Sequence, residues 1–373
     1  MDLRVFLLSE SDAFANARPR WSALLQRSVG ANVFMSFEWL HSWWVAYRPR
    51  AELRIAIVES AEGTTLGIAP LMLSRERQAG VPVRVLRFIG DGSWETDHMS
   101  FLIHEDAVAP VCNALSGAVE QMSWDIACLN QMPERSAVTA CVMQWSQNRL
   151  WRRSVEKVPC PRTRLPSDHA ALLKTLAPRF RTALRASKRR LEEHHQIEFG
   201  THGAAEELPY ALETLFRNHS SRWRAKGERG VFEDRDKREF YRILAPLLLE
   251  RGWLRFYFLR LDGAIVAQEF CFALDRAVML LQEGFDYAHA RDNVGNILRA
   301  RVMEHLMNEG ASEYDFLAGT SRHKQTWSND TTYDLRLRIV RPTIRGRLHS
   351  ILHAASTAVR SRAHGTPPGD VST

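Results

Sequence analysis

The sequence predicts a mixed α/β fold, formally α/β (α+β), built as two units. Three observations carry that expectation. Strand-like and helix-like patterns follow one another in mixed order along the chain. A stretch with three prolines and little periodicity, residues 156–168, interrupts that order near the middle. The 373 residues are enough for two domains with sizeable cores.

Taken in order, residues 3–8 read as a strand, and residues 21–28 and 36–47 as helices. Ser36 is the expected N-cap of the second helix. Trp39 with Trp43, and Leu40 with Trp44, recur four apart and read as helix packing against a sheet. Strands are expected at 53–59, 66–74, 83–89, 99–103 and 124–129, with helices at 107–122 and 137–147. Beyond the proline-rich break, residues 170–195 read as one long helix that Pro178 restarts or kinks.

The second half repeats the plan. A strand at 197–202 precedes helices at 206–226 and 234–250, the latter capped by Asp234. Strands at 253–261 and 265–274 are joined by Asp262-Gly263, a two-residue hairpin signal. After a strand at 278–284, Gly295 precedes a helix whose apolar face carries Leu298, Val302 and Leu306. Gly310 stops it. Residues 314–317 read as a short buried strand, followed by a polar loop with Lys324 and Trp327. Residues 333–340 alternate as a last strand. Residues 344–362 contain no acid and read as a basic helix, and 367–373 as an unstructured tail.

Composition bounds the function. The net charge of +7 suits an anionic partner, or simply reflects an arginine-rich composition. The lysines are Lys157, Lys174, Lys188, Lys226, Lys237 and Lys324 alone, so Lys324 stands out where arginine is the default cation. No apolar run approaches the roughly 18 residues of a membrane span. The five cysteines are scattered, which suits reduced thiols and a cytoplasmic location. There is no GxGxxG, Walker loop, GxSxG elbow or HExxH, and no histidine set at metal spacing, so neither a metal nor a permanently bound cofactor is expected. The densest basic cluster is Arg179, Arg181, Arg185, Lys188, Arg189 and Arg190. It is either a solvated helix face or an anion site.

Several motifs occur in a shared order. They are Phe34-x-Ser36-x2-Trp39, Gly67-Ile68-Ala69-Pro70-Leu71, Arg222-Trp223-x3-Gly227-x4-Phe232 and Ala267-Gln268-Glu269-Phe270. Gly284-Phe285-Asp286, Gly295-x2-Leu298, Asp315-Phe316-Leu317-x-Gly319 and Lys324-x2-Trp327 follow. Over roughly residues 20–340 this pattern resembles the bacterial GNAT-type acyltransferases of the CelD (BcsL) kind, which are related to the Fem aminoacyl transferases. The resemblance implies two tandem GNAT-like mixed-sheet domains with helices on both faces. Residues 1–160 would shape the cleft and hold the acceptor, 161–343 would be the acyltransferase domain, and 344–373 a basic helix and tail.

The resemblance also implies an activity: transfer of an acyl group from acetyl-CoA or another acyl-CoA, as co-substrate, to an amine or hydroxyl. The acceptor would be a small molecule or saccharide, such as an exopolysaccharide or cellulose-related precursor. An acyl thioester is already activated, so positioning, carbonyl polarisation and one proton acceptor suffice. By resemblance the strand at 278–284, ending at Gly284, lines the thioester, and the loop of Asn293, Gly295 and Asn296 holds the cofactor phosphates at a helix N-terminus. Asn293-Val294-Gly295 stands where many relatives have Ser-Pro-Gly. That difference keeps an aminoacyl-tRNA donor, as in the Fem enzymes, open as an alternative.

Asp315 is a candidate general base or acceptor-orienting group, or a carboxylate paired with an arginine. Lys324 is a candidate for neutralising a developing oxyanion, or a solvated loop lysine. His323 is a candidate proton carrier because its ordinary pKa lies near neutrality. Trp223 and Phe232, with Arg222 beside them, are candidate acceptor-cleft walls, with core packing the competing reading, and Trp327 reads as a packing anchor before a substrate-stacking platform. Glu269 interrupts an apolar strand and needs a partner or a shifted pKa. Arg185 represents the basic face toward an anionic substrate. Two alternatives to the acyl-CoA reading remain: a Fem-like transferase using tRNA with a peptide or cell-wall acceptor, and a non-catalytic GNAT-like protein that binds an anion.

Overall fold

The structure is a computed structural model and describes residues 2–147, 151–225 and 227–363. The expected tail at 367–373 lies outside the described residues. Local signals explain most of the elements. Ser36 Oγ accepts the Trp39 amide at 3.1 Å and starts the helix Phe37–Tyr47. Asp234 caps Arg235–Glu250 by accepting the amides of Asp236 and Lys237. Asp262 and Gly263 turn the hairpin with φ of +50° and +84°, the left-handed region its tight turn requires. Pro178 sits in the first turn of a fresh helix, Pro178–His194, separated from His169–Thr175.

Among the described residues the strands form two sheets. The smaller joins Leu3–Leu8, Ile55–Ser60, Thr65–Ala69 and Leu102–Ile103 in that order. The larger has eleven strands and runs through both halves. From one edge it carries Ile197–Thr201, Leu254–Leu261, Ala264–Leu274, Ala277–Phe285, Glu313–Asp315 and Arg152–Arg164. It continues with Asp330–Val340, Ile126–Pro133, Val81–Phe88, Leu71–Gln78 and Ala51–Leu53. Asp330–Val340 pairs antiparallel with Arg152–Arg162 along its whole length and with Ile126–Pro133 on its other side. The last strand in sequence therefore joins the first half's sheet to the second half's.

Several expected boundaries move for physical reasons. The proline-rich break is mostly strand, Arg152–Arg164, because its long partner supplies a ladder that local sequence does not reveal. The strand expected at 66–74 splits at Pro70, which has no amide to donate, and its pieces enter different sheets. The run at 53–59 splits likewise at Arg54. The strand expected at 314–317 ends at Asp315 because Leu317 adopts φ +62°. The polar loop after it contains a short helix, Arg322–Trp327.

The largest core crosses between halves. Trp39 of the first half packs edge-on against Phe240 and Phe272, both at 5.2 Å between ring centres. So the early tryptophans pack against a helix of the second half as well as a sheet. A second core surrounds the helix Val294–Asn308. Among the described residues, no helix is long and apolar enough to cross a membrane.

Candidate active site

The site begins with two parallel strands that separate. Ala277–Phe285 pairs with Glu313–Asp315 only from Ala277 to Met279. Beyond Met279 the chains diverge, since Asp315 Oδ1 accepts the Leu317 amide at 2.6 Å and turns that segment away. The register against Ala264–Leu274 also shifts here, leaving Leu281 as an extra residue opposite Phe270 and Cys271. A cleft of about 1340 Å³ fills the gap. Leu280–Glu283 line one side, and Phe316, Leu317 and Ala318 the other. Lys324 and His323 come from the short helix, Arg179 and Phe180 from the basic helix, and His219 and Trp223 from Leu208–Arg224.

Next to the cleft lies the N-terminus of Val294–Asn308. Asn293 enters it at φ +64°, and the first-turn amides of such a helix lack partners within it. Asn296 is fixed from both sides: its Nδ2 donates to Asn293 Oδ1 at 2.7 Å and its Oδ1 accepts from Trp327 Nε1 at 2.9 Å. A pocket of about 150 Å³ is lined here by Glu283, His289, Asn293, Gly295, Arg299 and His323, among others. The dipole end suits a phosphate group, while the cationic side chains around it are already paired, His289 with Asp292 and His323 with Glu283. Arg299 is shared between the carboxylates of Glu269 and Glu283.

Two buried charge networks support these walls. Arg299 donates Nε to Glu269 at 3.0 Å and pairs with Glu283 through Nη2, while Tyr314 donates its hydroxyl to Glu269 at 2.7 Å. Burial disfavours charge on Arg299, but Glu269 and Glu283 reverse that and hold the guanidinium charged. The second network joins the halves. His98 Nδ1 meets Asp334 at 2.9 Å and its Nε2 meets Asp315 at 3.2 Å. Burial opposes protonation of His98, yet Asp334 and Asp315 outweigh it and hold the imidazole pKa well above 6.5. His98, Cys160 and Asp334 also place metal-type ligand atoms within 4.8 Å of one another, but both imidazole nitrogens already face carboxylates.

A raised histidine pKa fixes the sign of a pH effect. The imidazolium contributes stability fully below about pH 6.5, and that contribution is lost as pH rises through the folded value. Asp97, partly exposed but with its pKa raised by desolvation, acts in the same direction. The melting temperature of the wild type should therefore fall on going from about pH 6 into the alkaline range. Calorimetry of His98→Gln should show a shallower fall, and equal slopes for both proteins would rule out a charged clamp.

The structure distributes the expected site residues unequally. Lys324 and His323 line the cleft. Lys324 Nζ donates to the carbonyls of Ala318 at 2.7 Å and Leu317 at 3.3 Å. Burial lowers its pKa, against the pull of Asp97 and Asp315. His323 lies 3.6 Å from Glu283 and 3.1 Å from Ser321 Oγ. Trp223 lines the cleft and donates Nε1 to His219 Nε2 at 3.0 Å. Asn293, Gly295 and Asn296 line the small pocket.

Other candidates are placed elsewhere. Asp315 is buried behind the wall, held by His98 and the Leu317 amide. Glu269 is buried against Arg299, so it braces the strand instead of meeting an acceptor. Phe232 packs in the core with Phe216 and Tyr241, and Trp327 is buried against Phe180. Gly284 serves close packing: a Cβ there would come within 3.0 Å of the Leu215 side chain. Arg185 is exposed on its helix, while Arg179 of the same helix reaches the cleft. The Arg222 side chain lies outside the described residues. The residues not singled out from sequence are Glu283, Asp97, His98, His219, Asp334 and Arg299. Glu283 had a signal, since with Gln282 it follows directly on the apolar run Val278–Leu281 within one strand.

These features have a parallel in known proteins. Residues 178–325 match the family described as Acetyltransferase (GNAT) domain. The second half thus carries a GNAT domain match. A search of curated proteins finds no match to the sequence. Among solved structures the chain is similar to FemX, with a TM-score of 0.62 and 9% identity over 94% of this chain and 99% of that one. It is also similar to a protein of unknown function from Bacteroides thetaiotaomicron, with a TM-score of 0.56 and 12% identity over 90% and 100% of the two chains. L-PGS from Bacillus licheniformis gives 0.52 and 12%, over 90% and 96%. At such identities the likeness is one of fold, and the GNAT match falls on the half that holds the parted strands.

Proposed function

We propose that the chain is an acyltransferase that moves an acyl group from acyl-CoA to an amine or hydroxyl of a sugar or exopolysaccharide precursor. One observation carries the reading: within the GNAT-matching half, strands that part beyond Met279 open a cleft beside the N-terminus of a long helix. The phosphates of coenzyme A would lie at Asn293, Gly295 and Asn296, and the thioester along Leu280–Glu283. Coenzyme A supplies the activated acyl group. This chain's residues then orient it, exclude water and polarise its carbonyl through backbone amides and the Lys324 ammonium. His323, beside Glu283, takes the acceptor's proton as the acceptor bonds to the acyl carbon; the C–S bond then breaks and that proton passes to the departing CoA thiolate, leaving the free thiol. The saccharide setting rests on the CelD-like motif order.

The test is thermal unfolding with CoA, acetyl-CoA and longer acyl-CoAs. At a hundredfold its dissociation constant a ligand adds about 2.7 kcal/mol of native-state stability, so a clear upward shift is expected. Release of free thiol with a saccharide acceptor would then follow. No shift with any of them would remove the donor assignment.

A second reading is favoured by the FemX-like architecture and by the basic helix Pro178–His194 at the cleft rim. It is transfer of an amino acid from aminoacyl-tRNA. Strongly salt-dependent tRNA binding, with no response to acyl-CoA, would support it over the first.

A further inference from the structure

The loop between Val81–Phe88 and Leu102–Ile103 has a feature that the transfer chemistry above does not use. Nearly every residue from Ser93 to His98 is fastened inward. Ser93 Oγ accepts from Trp43 Nε1 at 2.9 Å, and Thr96 Oγ1 accepts from Trp39 Nε1 at 3.0 Å. The Glu95 carboxylate is buried against Lys237 and accepts the Tyr241 hydroxyl at 2.7 Å. Asp97 accepts from Gln131 and from the Ala318 amide. Gly90 has φ +104°, and a Cβ there would meet Thr96 Oγ1 at 2.8 Å.

Trp94 alone points outward. It is 85% exposed, the highest exposure of any large aromatic residue among those described. Its φ is +64°, a conformation that a bulky side chain adopts only under constraint. The fastened neighbours supply that constraint, and what they hold in place is a bare indole. An apolar face so exposed, on a backbone so determined, marks a contact surface. The Arg336 guanidinium, bonded to Gln131, lies over the ring at 6.0 Å from its centre, on one of the indole's two faces.

The position of that indole gives its use. Trp94 lines the active-site cleft and also a second cleft of about 1030 Å³. The second cleft is walled by Trp43, Tyr47, Glu76, Arg87, Asp91 and Asp234, among others. Its charges cancel in number: Arg50, Arg87, Arg229 and Lys237 stand with Glu76, Asp91, Glu233 and Asp234, and Arg87 pairs with Glu76 at 3.1 Å and with Asp91 at 2.7 Å. Fixed carboxylates and guanidinium groups of cancelling charge can accept from and donate to hydroxyls, which do both. An anionic ligand would face Glu76, Asp91, Glu233 and Asp234, and a cationic one Arg50, Arg87, Arg229 and Lys237. A neutral polyhydroxylated ring suits the wall, and its C–H face suits an indole.

We propose that Trp94 is the stacking platform of an acceptor subsite for a neutral saccharide, with further sugar units in the second cleft and the reacting end in the first. The subsite deepens the acyl-transfer reading and rests on its saccharide acceptor. The platform positions the acceptor and takes no part in the proton or acyl movements.

The experiment is calorimetry and saturation-transfer NMR of the full chain with neutral α- and β-linked gluco-oligosaccharides of increasing length. Wild type should bind, more tightly with each added unit until the second cleft is filled. Trp94→Ala should weaken binding by about tenfold or more, and Trp94→Phe should restore most of it. Both variants should keep the wild-type melting temperature and its shift with acyl-CoA. No binding by wild type at any length, or equal binding by Trp94→Ala, overturns the subsite. So does a concentration-dependent dimer that Trp94→Ala abolishes, because a second copy would then cover the indole. Saccharide binding without any acyl-CoA response would sink the transfer reading and leave the subsite standing. Acyl-CoA response without saccharide binding would do the reverse.

Discussion

Arg299→Met should destabilise the protein by about 3–5 kcal/mol, the range expected when one partner of a buried ion pair is removed. Arg299 is buried in the core helix Val294–Asn308 and faces two carboxylates from neighbouring strands. Methionine fills similar volume, so the effect comes mainly from Glu269, which would be left buried with only the Tyr314 hydroxyl as partner. The double variant Arg299→Met, Glu269→Gln should recover part of the loss, because it no longer strands a charge. Urea unfolding of the three proteins gives the comparison. A single-variant effect below about 1 kcal/mol would mean that water reaches Glu269 and that the network is not a brace.

Lys324→Ala should lower turnover by about 10²–10³-fold, the range found when one preorganised oxyanion-stabilising donor is deleted. The ammonium is half-buried in the cleft wall, where water screens it weakly, and burial lowers its pKa. It also holds the carbonyls of Leu317 and Ala318, so stability should fall modestly as well. Lys324→Arg should keep the charge but misplace it, giving an intermediate rate. The acyl-CoA-induced stabilisation should persist in both, since the lysine lies outside the small pocket at the helix N-terminus. Unchanged turnover in Lys324→Ala would remove the lysine from the mechanism.

Local physics made much of the fold legible. Ser36, Asp234, Pro178 and Asp262-Gly263 act within a few residues of themselves, and each marks its element as read. The strand Arg152–Arg164 was not legible, because it exists by virtue of a partner far away in sequence. The site divides in the same way. Lys324, His323, Asn293 and Asn296 could be picked out because they cluster in one unit of chain. Asp315 was found, but its partners were hidden, since His98 and Asp334 approach from distant segments. Phe232 and Trp327 illustrate the limit of type-based reading: an aromatic residue in a motif looks the same whether it walls a cleft or fills a core. Trp94 looked unremarkable for the opposite reason, as only its backbone angle and exposure set it apart.

The strand order of the large sheet bears on how the chain is made. During synthesis from the N-terminus, Ile126–Pro133 emerges well before the strand that covers its edge, Asp330–Val340, which follows only after the GNAT-matching segment 178–325. Until then the first half carries an open ladder of unpaired amides and carbonyls, a surface prone to pair with another chain. The missing contact is also of high sequence separation, which slows its formation. A fragment ending before Asp330 should therefore associate when expressed alone, whereas supplying residues 330–340 as a separate peptide should suppress that association by occupying the same edge.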